Sequence, residues 1–138
     1  MAIARALRRR VIERAGNRCE YCQMPADVES APFEIDHVLP QKHHGPTTAD
    51  NLAWACFPCN NHKGSNLAGI DATTGNMARL FSPRDDRWDE HFAWDGPHLS
   101  GLTAIGGATI DVLAINVPDR VALRRELIAE GVFPPVQP

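Results

Sequence analysis

Apolar residues Ile3, Leu7, Val11 and Ile12 recur at helical spacing, with arginines between them. This predicts an amphipathic helix over residues 3–15, stopped by Gly16-Asn17. Ala26 to Pro32 reads as a turn or loop, and Phe33 to Val38 as a short strand. Alternation puts Phe33, Ile35 and His37 on one strand face, and Glu34 and Asp36 on the other. Pro40 ends that strand. The polar run Gln41 to Asp50, with Gly45-Pro46 inside it, is a loop. Leu52 to Ala55 is a second apolar run, expected to pair antiparallel with the first. A short helix is expected from Pro58 to about Leu67, then a turn-rich stretch to Asn76.

Beyond Met77 the chain changes character. Leu80-Phe81, Trp88, Phe92 and Trp94 supply aromatic mass. Leu99 to Leu113, interrupted by Gly101, Gly106 and Gly107, predicts short strands or irregular extended segments. Asn116 to Glu130 predicts a helix, with Pro118 in its first turn, Val121, Leu123, Leu127 and Ile128 facing inward, and Gly131 at its end. The proline-rich end, Pro134 to Pro138, is expected to fray. The mixture of short strands and separate helices predicts an α+β fold.

The chain's 138 residues suit one compact domain with a modest core. No apolar run approaches the ~18–20 residues that span a bilayer, so no membrane contact is expected. The start lacks the pattern of an export signal, and the expected compartment is the cytoplasm. Net charge is −3, which is not the balance of a bulk nucleic-acid binder. The average conceals a split. Residues 1–18 hold Arg5, Arg8, Arg9, Arg10, Arg14 and Arg18 against Glu13 alone, about +5, so the remainder carries about −8. A basic arm on an acidic body can meet a phosphate backbone locally, with Arg8 and Arg9 as the candidate contacts; a solvated helix face is the alternative.

All four cysteines fall in Cys-x-x-Cys pairs, Cys19 with Cys22 and Cys56 with Cys59. In a reducing compartment such pairs read as metal ligands. Four thiolates in two such turns make a closed tetrahedral zinc site. Between Cys22 and Cys56 lie 33 residues. That exceeds the ~15–20 of many zinc ribbons, so a functional element is expected between the halves. Two disulfides or a redox pair are the alternatives, although the βαβ setting of a thioredoxin-like site is absent from the pattern.

That intervening stretch contains Asp36-His37, and the second cysteine pair runs on into Asn60-Asn61-His62-Lys63-Gly64. Phosphodiester hydrolysis needs an activated water and a charge sink for the leaving oxygen. A neutral histidine can take the water proton. An oxygen-only Asp/Asn pair suits Mg²⁺ or Mn²⁺. Neighbours on a strand face opposite ways, so Asp36 and His37 are expected to address opposite sides of a scissile phosphate.

Taken together, Asp36-His37, the loop to Asp50-Asn51-Leu52, and Cys56-x-x-Cys59-Asn60-x-x-Lys63-Gly64 resemble the HNH endonuclease family, in its four-cysteine zinc branch. The likeness covers about residues 5–67. It implies a ββα-metal core with a structural zinc site and an N-terminal helix over residues 1–67. Residues 68–138 would be an accessory C-terminal α/β extension of the same single domain. Leu80 to Trp94 also resembles an extension found in some small bacterial HNH proteins. The resemblance further implies that His37 is the general base and that Asp36 and Asn60 hold the catalytic cation. Asn51 would hold the connecting loop and the His37 ring. The implied reaction is hydrolysis of DNA, most simply duplex, to 5′-phosphate and 3′-hydroxyl ends. Asn51 can also serve as a plain loop brace, and Asn60 as a helix cap after Cys59. Lys63 is expected to contact a phosphate. His62 lies off the family register and is not expected to bind metal.

Two rival functions have different signatures. A non-catalytic zinc module for nucleic acid or protein would keep the cysteines but has no need of Asp36, His37 and Asn60 together. A thiol redox protein would cycle its cysteines and hold no tight metal.

Overall fold

The computed structural model describes residues 3–136, and it has an α+β fold. Helix α1 spans Arg5–Arg14 and buries Val11, with Leu7 and Ile12 partly covered against the core. Arg14 in its last turn complements the helix dipole. Gly16 and Asn17 both take positive φ, at 63° and 55°, and end the helix where the sequence predicts.

Strand β1 (Glu34–His37) pairs antiparallel with β2 (Leu52–Ala55) in the register Ile35 to Trp54 and His37 to Leu52. Every residue of β2 is buried, as its unbroken apolar run suggests for a strand covered on both faces. Helix α2 (Phe57–Lys63) follows at once. Cys56 caps it, its sulfur accepting from the Cys59 N–H at 3.4 Å. The β1–β2–α2 unit is the expected ββα core.

Two expectations for the second half need correction. The stretch from Leu67 to Asn76 is not only turns: β3 (Ala68–Ile70) and β4 (Met77–Arg79) form a hairpin. The turn between them carries the polar signal. Asp71 accepts from the Thr74 N–H at 3.2 Å and hydroxyl at 2.9 Å, and Gly75 supplies a φ of 74°. Strands of three residues are too short to show a period.

Leu99 to Leu113 is also not extended throughout. Short helix α3 (Trp88–His91) leads into the hairpin β5 (Phe92–Asp95) and β6 (His98–Gly101), and then Ala104–Val112 forms helix α4. Thr103 caps α4 by accepting from the Gly106 N–H at 3.1 Å. Gly106 is there for close approach: a Cβ would collide with the His91 carbonyl oxygen.

Helix α5 (Pro118–Ala129) buries Val121 and Leu127, with Leu123 and Ile128 partly covered, as predicted. It also buries Arg124 completely. That guanidinium donates to the Pro97 and Ile115 carbonyls at 2.7 and 2.8 Å and lies 5.2 Å from the Trp94 ring centroid. Residues 137–138 lie outside the described residues, so the expected fraying of the C-terminus falls partly beyond them.

One apolar cluster joins both halves of the chain, from Val11, Tyr21 and Trp54 to Phe81, Phe92, Leu127 and Phe133. Its aromatic contacts run edge-on from Tyr21 to Phe81 and from Phe81 to Phe92, with centroids 6.4 and 5.1 Å apart. Trp88 Nε1 donates to the Tyr21 carbonyl and Trp94 Nε1 to Gln23 Oε1, each at 2.8 Å. The aromatic segment of the second half therefore clasps the first cysteine turn. Among the described residues, no helix is long and apolar enough to cross a membrane.

Candidate functional site

The two cysteine turns meet. All four sulfurs lie within 4.8 Å of one another, and all four residues are buried. Cys22 Sγ is 3.7 Å from Cys56 Sγ. A disulfide needs about 2.0 Å, whereas a tetrahedral zinc with Zn–S bonds of about 2.3 Å sets its sulfurs about 3.8 Å apart. The disulfide alternative is displaced, and the donor set fits zinc. Hydrogen bonds from the Cys19, Cys56 and Cys59 thiols hold Cys22 well below the ordinary thiol range. The same sharing, first with Cys19 and Cys22, pushes Cys56 and Cys59 up.

Helix α5 adds a cation to the rim. Arg120 Nη2 lies 3.9 Å from Cys56 Sγ. Its Nη1 hydrogen-bonds Glu29 Oε2 at 3.1 Å and lies 2.9 Å from Oε1. The sequence offered no sign of this contact, because Arg120 follows Cys56 by more than sixty positions in a helix whose pattern is simply amphipathic.

The second candidate centre lies at the end of β1. A cavity of about 270 Å³ is lined by Ile35, Asp36, His37, Pro40, Gln41, Asn60 and Gly64. Asp36 and His37 thus line one cavity, although strand alternation sends their side chains to opposite faces. Asp36 is buried. Its Oδ2 accepts from the Tyr21 hydroxyl at 2.6 Å and its Oδ1 from Lys63 Nζ at 3.1 Å. Burial raises its carboxyl above the usual carboxylate range, and Lys63 opposes that rise. Glu34, two residues back, is exposed and accepts from Asn60 Nδ2 at 3.0 Å. Asn60 Oδ1 is left for another partner. The helix cap is Cys56, not Asn60.

His37 is half-buried, and burial lowers it below the ordinary histidine value, with the neighbouring Asp36 opposing. Its Nε2 lies 2.9 Å from Thr47 Oγ1. Asn51 does not touch the ring. Its Oδ1 accepts from the Leu39 N–H at 2.9 Å, and its Nδ2 donates to the Leu39 and Pro46 carbonyls at 3.1 and 2.9 Å. Asn51 is the loop brace, and Thr47 is the residue beside the ring. Nothing in the sequence separates Thr47 from Thr48, which instead donates to Asp50 Oδ1 at 2.6 Å.

Lys63 requires a correction. It is 1% exposed and spends its ammonium internally, on Asp36 and on the His37 carbonyl at 3.0 Å. It has no surface to offer a phosphate. Arg8 and Arg9 are exposed on α1 and, with Arg5, Ile12 and Glu13, line a separate cavity of about 360 Å³. The Arg8 guanidinium also sits 5.2 Å from the Trp54 ring centroid. His62 is exposed, and His43 Nε2 contacts the Ser65 carbonyl at 3.0 Å.

The model of the family described as HNH endonuclease matches residues 19–66, from the first cysteine of the cluster to just past α2. These residues are similar to an HNH endonuclease domain. Its match begins and ends around the two centres just described. A wider similarity reaches the second half of the chain: the Septu protein PtuB of Bacillus thuringiensis is 28% identical over 129 residues, 92% of this chain and 48% of that protein. The chain therefore spans about half the length of that relative. No solved structure matches the chain. The four-cysteine cluster is consistent with the zinc-binding branch of the HNH family.

Proposed function

We propose that this chain is a metal-dependent endonuclease that hydrolyses DNA phosphodiester bonds, with duplex DNA in the cytoplasm as its substrate. One observation carries the reading: His37, Asp36 and Asn60 converge on a single cavity inside an HNH domain. A non-catalytic zinc module leaves that convergence without a purpose.

In this reading His37 carries its proton on Nε2, donates it to Thr47 Oγ1, and presents Nδ1 to water. The lowered imidazole is neutral at physiological pH, so Nδ1 is free to take the water proton as attack on phosphorus begins. Asn51 keeps the 38–51 loop, and with it Thr47, in register by three hydrogen bonds. Asp36 and Asn60 Oδ1 would hold Mg²⁺ or Mn²⁺, a hard cation suited to oxygen donors. When bound, that ion supplies charge stabilisation at the phosphate and the leaving oxygen.

Cys19, Cys22, Cys56 and Cys59 hold a structural zinc that ties the segment before β1 to the start of α2. Exposed Arg8 and Arg9 contact the DNA backbone. Residues 1–67 form the catalytic and zinc core, and residues 68–138 form an accessory extension of the same domain. The test is supercoiled plasmid incubated with the purified protein in Mg²⁺, in Mn²⁺ or in chelator. Nicking or linearisation that needs the divalent ion supports the reading; intact plasmid under all conditions, together with protein that binds zinc alone, refutes it.

A further inference from the structure

We propose that Tyr21 is a positioning residue for Asp36, and that through it the first zinc turn supports the catalytic cation site. The inference rests on Asp36 being a ligand of that cation. Tyr21 stands between two zinc cysteines and is completely buried. Its hydroxyl makes the shortest of the polar contacts to Asp36, 2.6 Å to Oδ2. A neutral donor to a carboxylate at that distance is a strong, charge-assisted bond. Lys63 holds the other oxygen, so the carboxyl group is clamped from both sides.

Tyr21 is itself fixed by its surroundings. Its carbonyl accepts from Trp88 Nε1 at 2.8 Å, and its ring meets Phe81 edge-on. The residue before it ties the same turn to β2: the Glu20 N–H donates to the Trp54 carbonyl at 2.9 Å, and the Trp54 N–H donates to Glu20 Oε2 at 2.8 Å. The turn from Cys19 to Cys22 is therefore bonded to both strands of the ββα core, to β2 through Glu20 and to β1 through Tyr21. A carboxylate offers about four acceptor positions. Two are spent on Tyr21 and Lys63, and the group still borders the cavity shared with His37 and Asn60. The clamp fixes the carboxylate without using all of it.

Neighbours of a metal ligand typically contribute about 10–100-fold to metal affinity. Tyr21→Phe removes one oxygen and keeps the ring. The variant is expected to retain stoichiometric zinc and the native circular dichroism spectrum, and to bind Mn²⁺ about 10–100-fold more weakly by calorimetry. Asp36→Ala is expected to lose Mn²⁺ binding, and adding Tyr21→Phe to it should change nothing further, since Tyr21 acts through Asp36. Unchanged Mn²⁺ affinity in Tyr21→Phe, against loss in Asp36→Ala, overturns the inference alone. Unchanged affinity in Asp36→Ala overturns both the ligand assignment and the inference.

A second measurement needs no substitution of the fold. Tyr21 is the only tyrosine of the chain, so fluorotyrosine labelling gives one fluorine resonance. Mn²⁺ should broaden that resonance, and excess Mg²⁺ should restore it. A sharp line at saturating Mn²⁺ overturns the proposal.

Discussion

His37 Nε2 and Thr47 Oγ1 stand 2.9 Å apart, joining the end of β1 to the far side of the loop that Asn51 braces. In the proposed reading Nε2 donates to Thr47, and Nδ1 is the nitrogen that takes the water proton. A neutral hydrogen bond of this kind is worth about 1 kcal/mol net. Thr47→Val keeps the shape and removes the hydroxyl. It should lower kcat for plasmid cleavage about two- to tenfold, with zinc content and melting temperature near those of the parent. Thr48→Val, whose hydroxyl serves only Asp50, is the control and should leave kcat unchanged.

The pH dependence follows from the direction of the His37 shift. Burial favours the neutral ring, so protonation requires a pH below the ordinary value of about 6.5. A general base works only unprotonated. The acidic limb of kcat/KM should therefore have its midpoint below about pH 6.5. A limb centred above pH 7 would contradict the environment described for the ring.

Arg120 reaches the four-cysteine cluster from α5, so the second half of the chain should influence retention of the proposed zinc. Substituting Arg120 alone would strand the buried Glu29 carboxylate, an effect unrelated to zinc. The informative variant is Arg120→Met with Glu29→Gln. It should release zinc to a competing chelator about 10–100-fold faster than the parent, measured by a colorimetric zinc indicator. Glu29→Gln alone should release it at close to the parent rate.

Arg8 and Arg9 are the basic candidates that remain exposed once Lys63 is found buried. Each phosphate neutralised contributes roughly 0.9 to the slope of log affinity against log salt. Replacing both arginines with Gln should weaken DNA binding and reduce that slope by about one to two units. An unchanged slope with the fold intact would make them a solvated helix face.

Much of the candidate site was legible in the sequence because its signals are local. Cys-x-x-Cys spacing, the Asp36-His37 step and the polar loop ending at Asn51 each occupy a few adjacent positions, and the ββα core follows from two short apolar runs and a helix cap. The contacts that complete the site are long-range. Tyr21 meets Asp36 only once β1 is folded against the first cysteine turn. Thr47 is one of two adjacent threonines, and Arg120 belongs to a distant helix. Lys63 departs from expectation for the same reason: its charge suggests the surface, but Asp36 and the His37 carbonyl draw it inside. In the second half, glycines read as breaks in extended chain, whereas Gly106 permits close packing of α4 against the His91 carbonyl.

The central claim is that His37 is the general base of a metal-dependent nuclease. The most direct measurement compares supercoiled-plasmid cleavage by the parent and by His37→Ala, in Mg²⁺ and in Mn²⁺, at matched zinc content. His37→Ala should lose roughly 10²–10⁴-fold in rate, with zinc stoichiometry and circular dichroism unchanged. Cleavage by His37→Ala at close to the parent rate would contradict it.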